Sequence, residues 1–194
     1  MRGNMIVLTS EVDGCNHLGS RKAGYPFSSL QFNLPKLATR KIIQWGEQNI
    51  SDEEVYNDPE QPQYGREYES HVTIIYGIHD DTPKELKRLL NKQKPFFIEF
   101  GKISVFDCLN FDVVKIEVES VELRRINKIV QDHLEVTNNN ITFRPHVTIA
   151  FLKKGSGSRF AGRDDFVSNR ILVDRLTFSS TTGIQSTIEL QEDS

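Results

Sequence analysis

Short segments that are apolar or alternate between apolar and polar residues recur along this chain and predict β-strands. The predicted strands cover residues 30–34, 71–76, 96–106, 112–119, 146–152, 171–178 and 184–190. Gly101 predicts a bulge or turn within the third of them. The third and fourth strands are close enough in sequence to form a hairpin.

Three stretches predict helices between these strands. The first follows Pro35, which suits the first turn of a helix, the second starts near Thr82, and the third opens at Ser120 with apolar residues at helical spacing. Residues 51–69 are acidic and rich in turn formers, which predicts a long exposed loop. Residues 1–27 predict an irregular N-terminal arm, and residues 28–194 a single domain.

The tetrapeptide His-Val-Thr-Ile occurs twice, at residues 71–74 and 146–149, each time at the start of a predicted strand. A helix and a pair of strands separate the copies. This repeat predicts an α+β fold with two pseudo-symmetric antiparallel-sheet lobes, helices on the outside and a central cleft. The two-residue period of a strand places each histidine and its threonine on one face. By the same parity, Tyr76 and Phe151 are predicted to lie on the opposite face, in the core.

The two histidines and two threonines of the repeat are suited to the cleavage of a phosphodiester. A base must take a proton from the attacking oxygen, an acid must protonate the leaving oxygen, and donors must hold the phosphoryl oxygens. We expect His71 and His146 to be the base and the acid, and Thr73 and Thr148 to hold the phosphate. The pseudo-symmetry leaves open which histidine has which role. A single His-x-Thr would more often be structural, and the repeat carries the prediction.

Other residues near the motifs are candidates for substrate contact. Arg66 and Arg144 precede the two histidines and could bind phosphate, although either could instead be solvated or structural. Tyr25 and Tyr64 are candidates for stacking on a base. Phe27 and Tyr68 are further candidates for the same role.

The composition favours a small binding partner over a long nucleic acid or a membrane. The net charge of −3 provides no broad basic surface for long nucleic acid. The chain has 37% hydrophobic and 26% charged residues, a composition typical of a globular protein. No apolar run approaches the length of a membrane span, so we expect no membrane partner. Cys15 and Cys108 form no CxxC pair, and we interpret them as two free thiols in a cytoplasmic protein, with a disulfide as the alternative.

The paired motifs resemble those of the 2H phosphoesterase superfamily, which includes the 2'-5' RNA ligase-like (LigT-like) proteins, cyclic nucleotide phosphodiesterases and phage anti-CBASS nucleases. The segments that resemble a phage-associated subset of this superfamily are residues 28–35, 65–67, 71–77, 144–148 and 161–164. The resemblance implies a bilobal α+β fold and a metal-independent active site without a cofactor. It assigns the catalytic histidines to His71 and His146 and the phosphate-binding hydroxyls to Thr73 and Thr148.

The resemblance leaves the substrate open. Family substrates include 2',3'-cyclic phosphates, 2'-5' linked oligonucleotides and, for the anti-CBASS branch, cyclic di- and trinucleotides. We therefore expect a phosphodiesterase that acts on a small cyclic nucleotide or oligonucleotide, such as a phage enzyme that degrades a host defence signal. The alternatives are an enzyme that processes RNA 2',3'-cyclic phosphate ends or 2'-5' linkages, a module that sequesters a nucleotide without cutting it, and a structural role in a virion.

Overall fold

The computed structural model describes residues 27–58, 64–137 and 142–191. Over these residues the chain forms eight β-strands, three α-helices and two short 3-10 helices. The strands are β1 (Ser28–Asn33), β2 (His71–Ile78), β3 (Phe96–Asp107), β4 (Phe111–Glu119), β5 (His146–Lys153), β6 (Arg170–Val173), β7 (Arg175–Ser179) and β8 (Gln185–Glu189). The α-helices are α1 (Lys36–Asn49), α2 (Lys84–Leu89) and α3 (Val121–His133), and the 3-10 helices span Asp52–Glu54 and Ser158–Phe160.

The strands build one antiparallel sheet in the order β6-β3-β4-β5-β2-β1-β7-β8. The central pair, β2 and β5, carries the two copies of the His-Val-Thr-Ile motif. β1, β7 and β8 extend the sheet on one side of this pair, and β4, β3 and β6 extend it on the other. The predicted α+β class is confirmed, and the two predicted lobes are the two halves of one continuous sheet.

The helices cover one face of this sheet with their apolar sides. α1 buries Ile42 and Trp45, and α3 buries Leu123, Ile126 and Val130 in the same core. α1 packs against β5, and α3 packs against β2, so each helix supports the motif strand of the other half. The predicted start of α3 is confirmed, because the Ser120 hydroxyl accepts a hydrogen bond from the Leu123 amide at 3.1 Å. We call the other face of the sheet, which carries His71 and His146, the cleft face.

The predicted β3–β4 hairpin is confirmed, and its register shifts between Phe100 and Ile103, where Gly101 predicted an irregularity. The C-terminal prediction is wrong in one respect. Residues 171–178 are not one strand, because the chain leaves the sheet at Asp174. β6 pairs with β3 at one edge, whereas β7 pairs with β1 in the other half of the sheet.

The loop between α1 and β2 is less exposed than its composition predicts. Val55 is 6% exposed and forms a β-bridge with Leu152, and Arg66 forms another with Ala150. Both partners lie on β5. The parts of this loop that the structure describes therefore run along the second motif strand instead of extending into solvent.

The interpretation of free thiols is wrong for Cys108, which is buried and disulfide-bonded, while Cys15 lies outside the described residues.

Among the described helices, none combines the length and the apolar character that crossing a membrane would require.

Candidate functional site

The two motifs face each other across the central strand pair. Val72 of β2 pairs with Val147 of β5 in antiparallel register. This register places His71 across from Thr148, and Thr73 across from His146, on the cleft face. Side chains opposite each other in an antiparallel pair have Cβ atoms about 4.5–5.5 Å apart. The structure therefore brings the two predicted imidazoles and the two predicted hydroxyls together.

A β-bulge follows the first motif. Thr73 pairs with Gln31 of β1, but the next pair along the ladder is Ile75 with Leu30. Ile74 is therefore an additional residue in β2, and its side chain is 1% exposed in the core. Such a bulge breaks the alternation of side chains between the two faces of a strand.

The second motif has an equivalent bulge. Thr148 pairs with Lys115 of β4, whereas Ala150 pairs with Val114. Ile149 is the additional residue here, and its side chain is 3% exposed. The two central strands therefore share the same irregularity at the same position after their histidines.

The bulges correct the prediction for two aromatic residues. Tyr76 pairs with Ser29, and Phe151 pairs with Val113, so both lie on the cleft face with the histidines. The parity argument assigned them to the opposite face because it assumed uninterrupted alternation. Phe151 is nevertheless buried at 3% exposure, within an aromatic cluster on the cleft face.

Each bulged residue has a partner for its carbonyl oxygen. The Asn127 side-chain amide on α3 donates a hydrogen bond to the Ile74 carbonyl at 2.7 Å. The Glu67 backbone amide donates one to the Ile149 carbonyl at 2.9 Å. Because a buried carbonyl without a partner is costly, these bonds stabilise the bulges that shape the cleft face.

We expect Asn127→Ala to lower the free energy of unfolding by about 1–3 kcal/mol, because it leaves the buried Ile74 carbonyl without a donor. Urea unfolding of the wild type and the variant measures this difference. Lys128→Ala changes an exposed position on the same helix and is the control, with an expected change within about 0.5 kcal/mol. Equal stabilities for Asn127→Ala and the wild type would refute this role for the amide.

The two imidazoles are held in the same way. His71 Nδ1 lies 2.8 Å from the Glu69 carbonyl oxygen, and His146 Nδ1 lies 2.8 Å from the Arg144 carbonyl oxygen. A carbonyl oxygen only accepts hydrogen bonds, so Nδ1 carries the proton in both rings. The neutral ring then has its lone pair on Nε2, the nitrogen that can exchange a proton with a substrate.

The surroundings of His146 favour its neutral form. Burial of the ring, together with the nearby charges of Lys115 and His71, lowers its pKa from 6.5 to about 4, although the hydrogen bond to the Arg144 carbonyl oxygen opposes this shift. The Phe106 ring packs edge-on against the imidazole at a centroid distance of 5.1 Å and excludes water from that side.

This shift predicts a pH dependence of stability. The unfolded chain binds a proton at His146 near pH 6.5, whereas the folded chain binds it only near pH 4. The unfolded state therefore binds more protons between these values, and the free energy of unfolding falls as the pH is lowered through this window, by at most about 3 kcal/mol. Denaturant unfolding at several pH values measures the slope. His146→Gln should flatten it, and an unchanged slope in this variant would contradict the assignment.

The two halves of the cleft face differ in character. On the β1 side the lining is polar, with a chain of hydrogen bonds from Gln31 to Asn33 at 2.6 Å and from Asn33 to Thr177 at 3.3 Å. On the β4 side it is largely aromatic. Tyr64 belongs to this aromatic part, with ring centroids 4.9 Å from Phe111 and 5.1 Å from Phe151.

The other candidates for base stacking are placed differently. Tyr25 lies outside the described residues. Tyr68 lines a shallow hollow beside α1, so it is on the helix side of the sheet. Phe27 packs against Tyr76 and His79, with ring centroids 6.1 and 4.8 Å away, at the end of β2 that is remote from His71. Phe27 and Tyr64 therefore contact equivalent cleft-face residues, Tyr76 and Phe151, each five positions after a motif histidine.

The two candidate arginines have different positions. Arg66 donates hydrogen bonds to the Gly46 and Ile50 carbonyl oxygens at 2.9 and 2.7 Å and to Asp52 at 2.8 Å. Its guanidinium therefore binds the C-terminal end of α1. This position supports the structural alternative for Arg66 and not the predicted contact with substrate. Arg144 is exposed two residues before His146, near enough to Lys115 that its charge adds to burial in lowering the pKa of that lysine.

Sequence reasoning missed Lys115, a buried lysine on the cleft face at 4% exposure. The sequence did not single it out, because Lys115 occupies the polar face of an alternating segment in which the next residue on that face, Glu117, is exposed. Within residues 27–58, 64–137 and 142–191, no three histidine, cysteine, aspartate or glutamate side chains are grouped as metal ligands.

Comparisons with known proteins identify the fold. No family model matches the sequence, and no curated protein matches it. TT0787 of Thermus thermophilus is 14% identical over 84% of this chain and 95% of that chain, with a TM-score of 0.58. E. coli LigT complexed with phosphate is 16% identical over 85% and 94%, with a TM-score of 0.53. A structure described as a phosphoesterase is 15% identical over 88% and 97%, with a TM-score of 0.55. The chain therefore has the α+β fold of LigT and this phosphoesterase, as the resemblance to the 2H phosphoesterases implied.

Proposed function

We propose that this protein is a metal-independent phosphodiesterase that cleaves a small cyclic nucleotide or oligonucleotide by acid–base catalysis between His71 and His146. The observation that carries the proposal is the matched pair of imidazoles, each oriented by a carbonyl bond at 2.8 Å and each opposite a threonine of the facing strand. A module that only sequesters a nucleotide needs no such pair of proton-transfer groups.

The reaction follows from these positions. One histidine takes the proton of the attacking hydroxyl through Nε2 as the new P–O bond forms. The other gives a proton to the leaving oxygen as the old P–O bond breaks. Thr73 and Thr148 donate hydrogen bonds to the non-bridging oxygens, on which negative charge builds. In the cleavage direction His146 is the base, because its lowered pKa keeps the ring neutral near pH 7.

The structural neighbours support a nucleotide as the ligand class. E. coli LigT has been crystallised with phosphate, NADP+, 3'-AMP and ATP. Those ligands belong to that protein, and for this chain they support a pocket that fits a phosphate with an attached nucleoside. A cyclic oligonucleotide signal, degraded by a phage enzyme in the host cytoplasm, is the substrate that we favour on the sequence resemblance, and an RNA 2',3'-cyclic phosphate or 2'-5' linkage is the alternative.

A substrate panel distinguishes these possibilities. The protein is incubated with EDTA and with cyclic dinucleotides, cyclic trinucleotides, 2'-5' linked oligoadenylates and 2',3'-cyclic nucleotides, and the products are separated by chromatography. We expect turnover that is insensitive to EDTA on at least one class, and the class identifies the substrate. Tight binding without turnover would favour a sequestering module, and cleavage abolished by EDTA would contradict a metal-independent reaction.

A further inference from the structure

A buried positive charge lies beside the paired motifs. Lys115 is on the cleft face of β4, where it pairs with Thr148, and the next cleft-face residue of that strand, Glu117, pairs with His146. The lysine is 4% exposed. It is therefore adjacent to both functional residues of the second motif, and the mechanism described above does not use it.

The ammonium group has few partners for a buried charge. Lys115 Nζ donates a hydrogen bond to the Ser104 hydroxyl at 2.6 Å and lies 4.2 Å from the centre of the Phe106 ring. An ammonium group has three N–H donors, and within the described part of the chain it has no carboxylate at ion-pair distance. Burial lowers its pKa, although the charge of Glu117 opposes this effect. A buried cation in this state gains from an added anion.

The pseudo-symmetry of the sheet shows that the fold does not require a cation at this position. β1 pairs with β2 as β4 pairs with β5, and Gln31 lies opposite Thr73 where Lys115 lies opposite Thr148. The equivalent site in the first half is thus filled by a neutral amide. The charge of Lys115 makes the two halves of the cleft unequal.

We propose that Lys115 is a third phosphate-binding group of the site, a catalytic residue whose ammonium contacts a non-bridging phosphoryl oxygen next to Thr148. The Phe106 ring and the Ser104 hydroxyl hold the ammonium in place, and the phosphoryl group supplies the missing counter-charge. This inference rests on the proposed function for its catalytic part, whereas its phosphate-binding part can be tested without a substrate.

The role of Lys115 in the reaction is electrostatic. The attacking hydroxyl gives its proton to His146, and the leaving oxygen receives one from His71. The phosphorus gains one P–O bond and loses another. Lys115 keeps its proton throughout and stabilises the additional negative charge on the phosphoryl oxygens in the transition state. It thereby makes phosphate binding stronger in the second half of the cleft than in the first.

Titration with inorganic phosphate by calorimetry tests the binding step. We expect Lys115→Met and Lys115→Gln to bind phosphate about ten- to hundredfold more weakly than the wild type, because each removes a charge-assisted hydrogen bond. Lys128→Met removes an equal charge from an exposed position on α3 and should bind phosphate as the wild type does. Phosphate affinity of Lys115→Gln equal to that of the wild type, or no phosphate binding by the wild type itself, would overturn the proposal.

Thermal unfolding and turnover separate this role from a structural one. If Lys115 contributed only to packing, its replacement would lower the melting temperature. We expect Lys115→Met to melt at or above the temperature of the wild type, because it replaces a poorly paired buried charge with an apolar side chain. Its kcat on the substrate identified by the panel should fall about ten- to hundredfold. A wild-type kcat in Lys115→Met would refute the catalytic role of the lysine, whereas an inactive wild type that binds phosphate through Lys115 would refute the proposed function.

Discussion

Replacement of either motif histidine by alanine is expected to lower turnover by about 10²–10⁴-fold, because each variant lacks the base or the acid of a reaction that needs both. The rings of His71 and His146 are oriented by equivalent hydrogen bonds to carbonyl oxygens. We therefore expect both imidazoles to be needed, with neither able to replace the other. The measurement is kcat on the substrate found in the panel, in buffer with EDTA. The double variant should be little worse than the worse of the two single variants, because the two groups act in one transition state.

His133→Ala is the matched control for this experiment. His133 lies in the last turn of α3, is exposed, and bonds through Nδ1 to the Ile129 carbonyl oxygen at 2.8 Å. It therefore shares the side chain and the type of bond with the motif histidines but not their place in the sheet. We expect wild-type turnover in this variant. Wild-type turnover in His71→Ala would remove that residue from the mechanism.

The threonines of the motifs are expected to have the second-largest effect. Thr73→Val and Thr148→Val should each lower kcat by about 10²–10³-fold, because each removes one donor to the charged transition state. Thr148 is 5% exposed, so its replacement by the isosteric valine should not empty space in the structure. Steady-state kinetics of the single variants measure the effect.

Thr187→Val is the control for the threonine variants. Thr187 lies on β8, at the edge of the sheet, where it pairs with Thr177. Its replacement removes a hydroxyl from a strand of the same sheet at a distance from the central pair. Unchanged kcat in both motif variants, with only KM altered, would mean that the hydroxyls bind the ground state and the transition state equally.

The repeat in the sequence was sufficient to predict the centre of the fold. Identical tetrapeptides at strand starts placed each histidine with its threonine, and the structure pairs the two strands at Val72 and Val147. The parity argument failed beyond the fourth residue of each motif. Both bulged positions are isoleucines, which are favoured in regular strands, so nothing local marked the interruption. The Asn127 bond to the Ile74 carbonyl comes from α3 and could not be seen in the sequence of β2.

Long-range contacts also explain the other departures from the prediction. The sequence of residues 171–178 predicts one continuous strand, and only the competing pairings with β3 and β1 divide it at Asp174. The position of Arg66 before a motif indicated a role in binding, but the carbonyl groups at the end of α1 bind its guanidinium. The alternation of residues 114–119 did not distinguish Lys115 from an exposed polar residue, because the neighbours that surround it, Ser104 and Phe106, come from β3.

On this account, His71 and His146 together cleave a phosphodiester without a metal. A ³¹P NMR time course in EDTA tests this, with the substrate from the panel and with wild-type protein beside the His71→Ala/His146→Ala double variant. We predict that the phosphodiester signal of the substrate is replaced by that of the product with the wild type and persists with the double variant. Equal rates of substrate loss with the two proteins would contradict this account. So would a substrate signal that persists with the wild type in EDTA and disappears once metal is added.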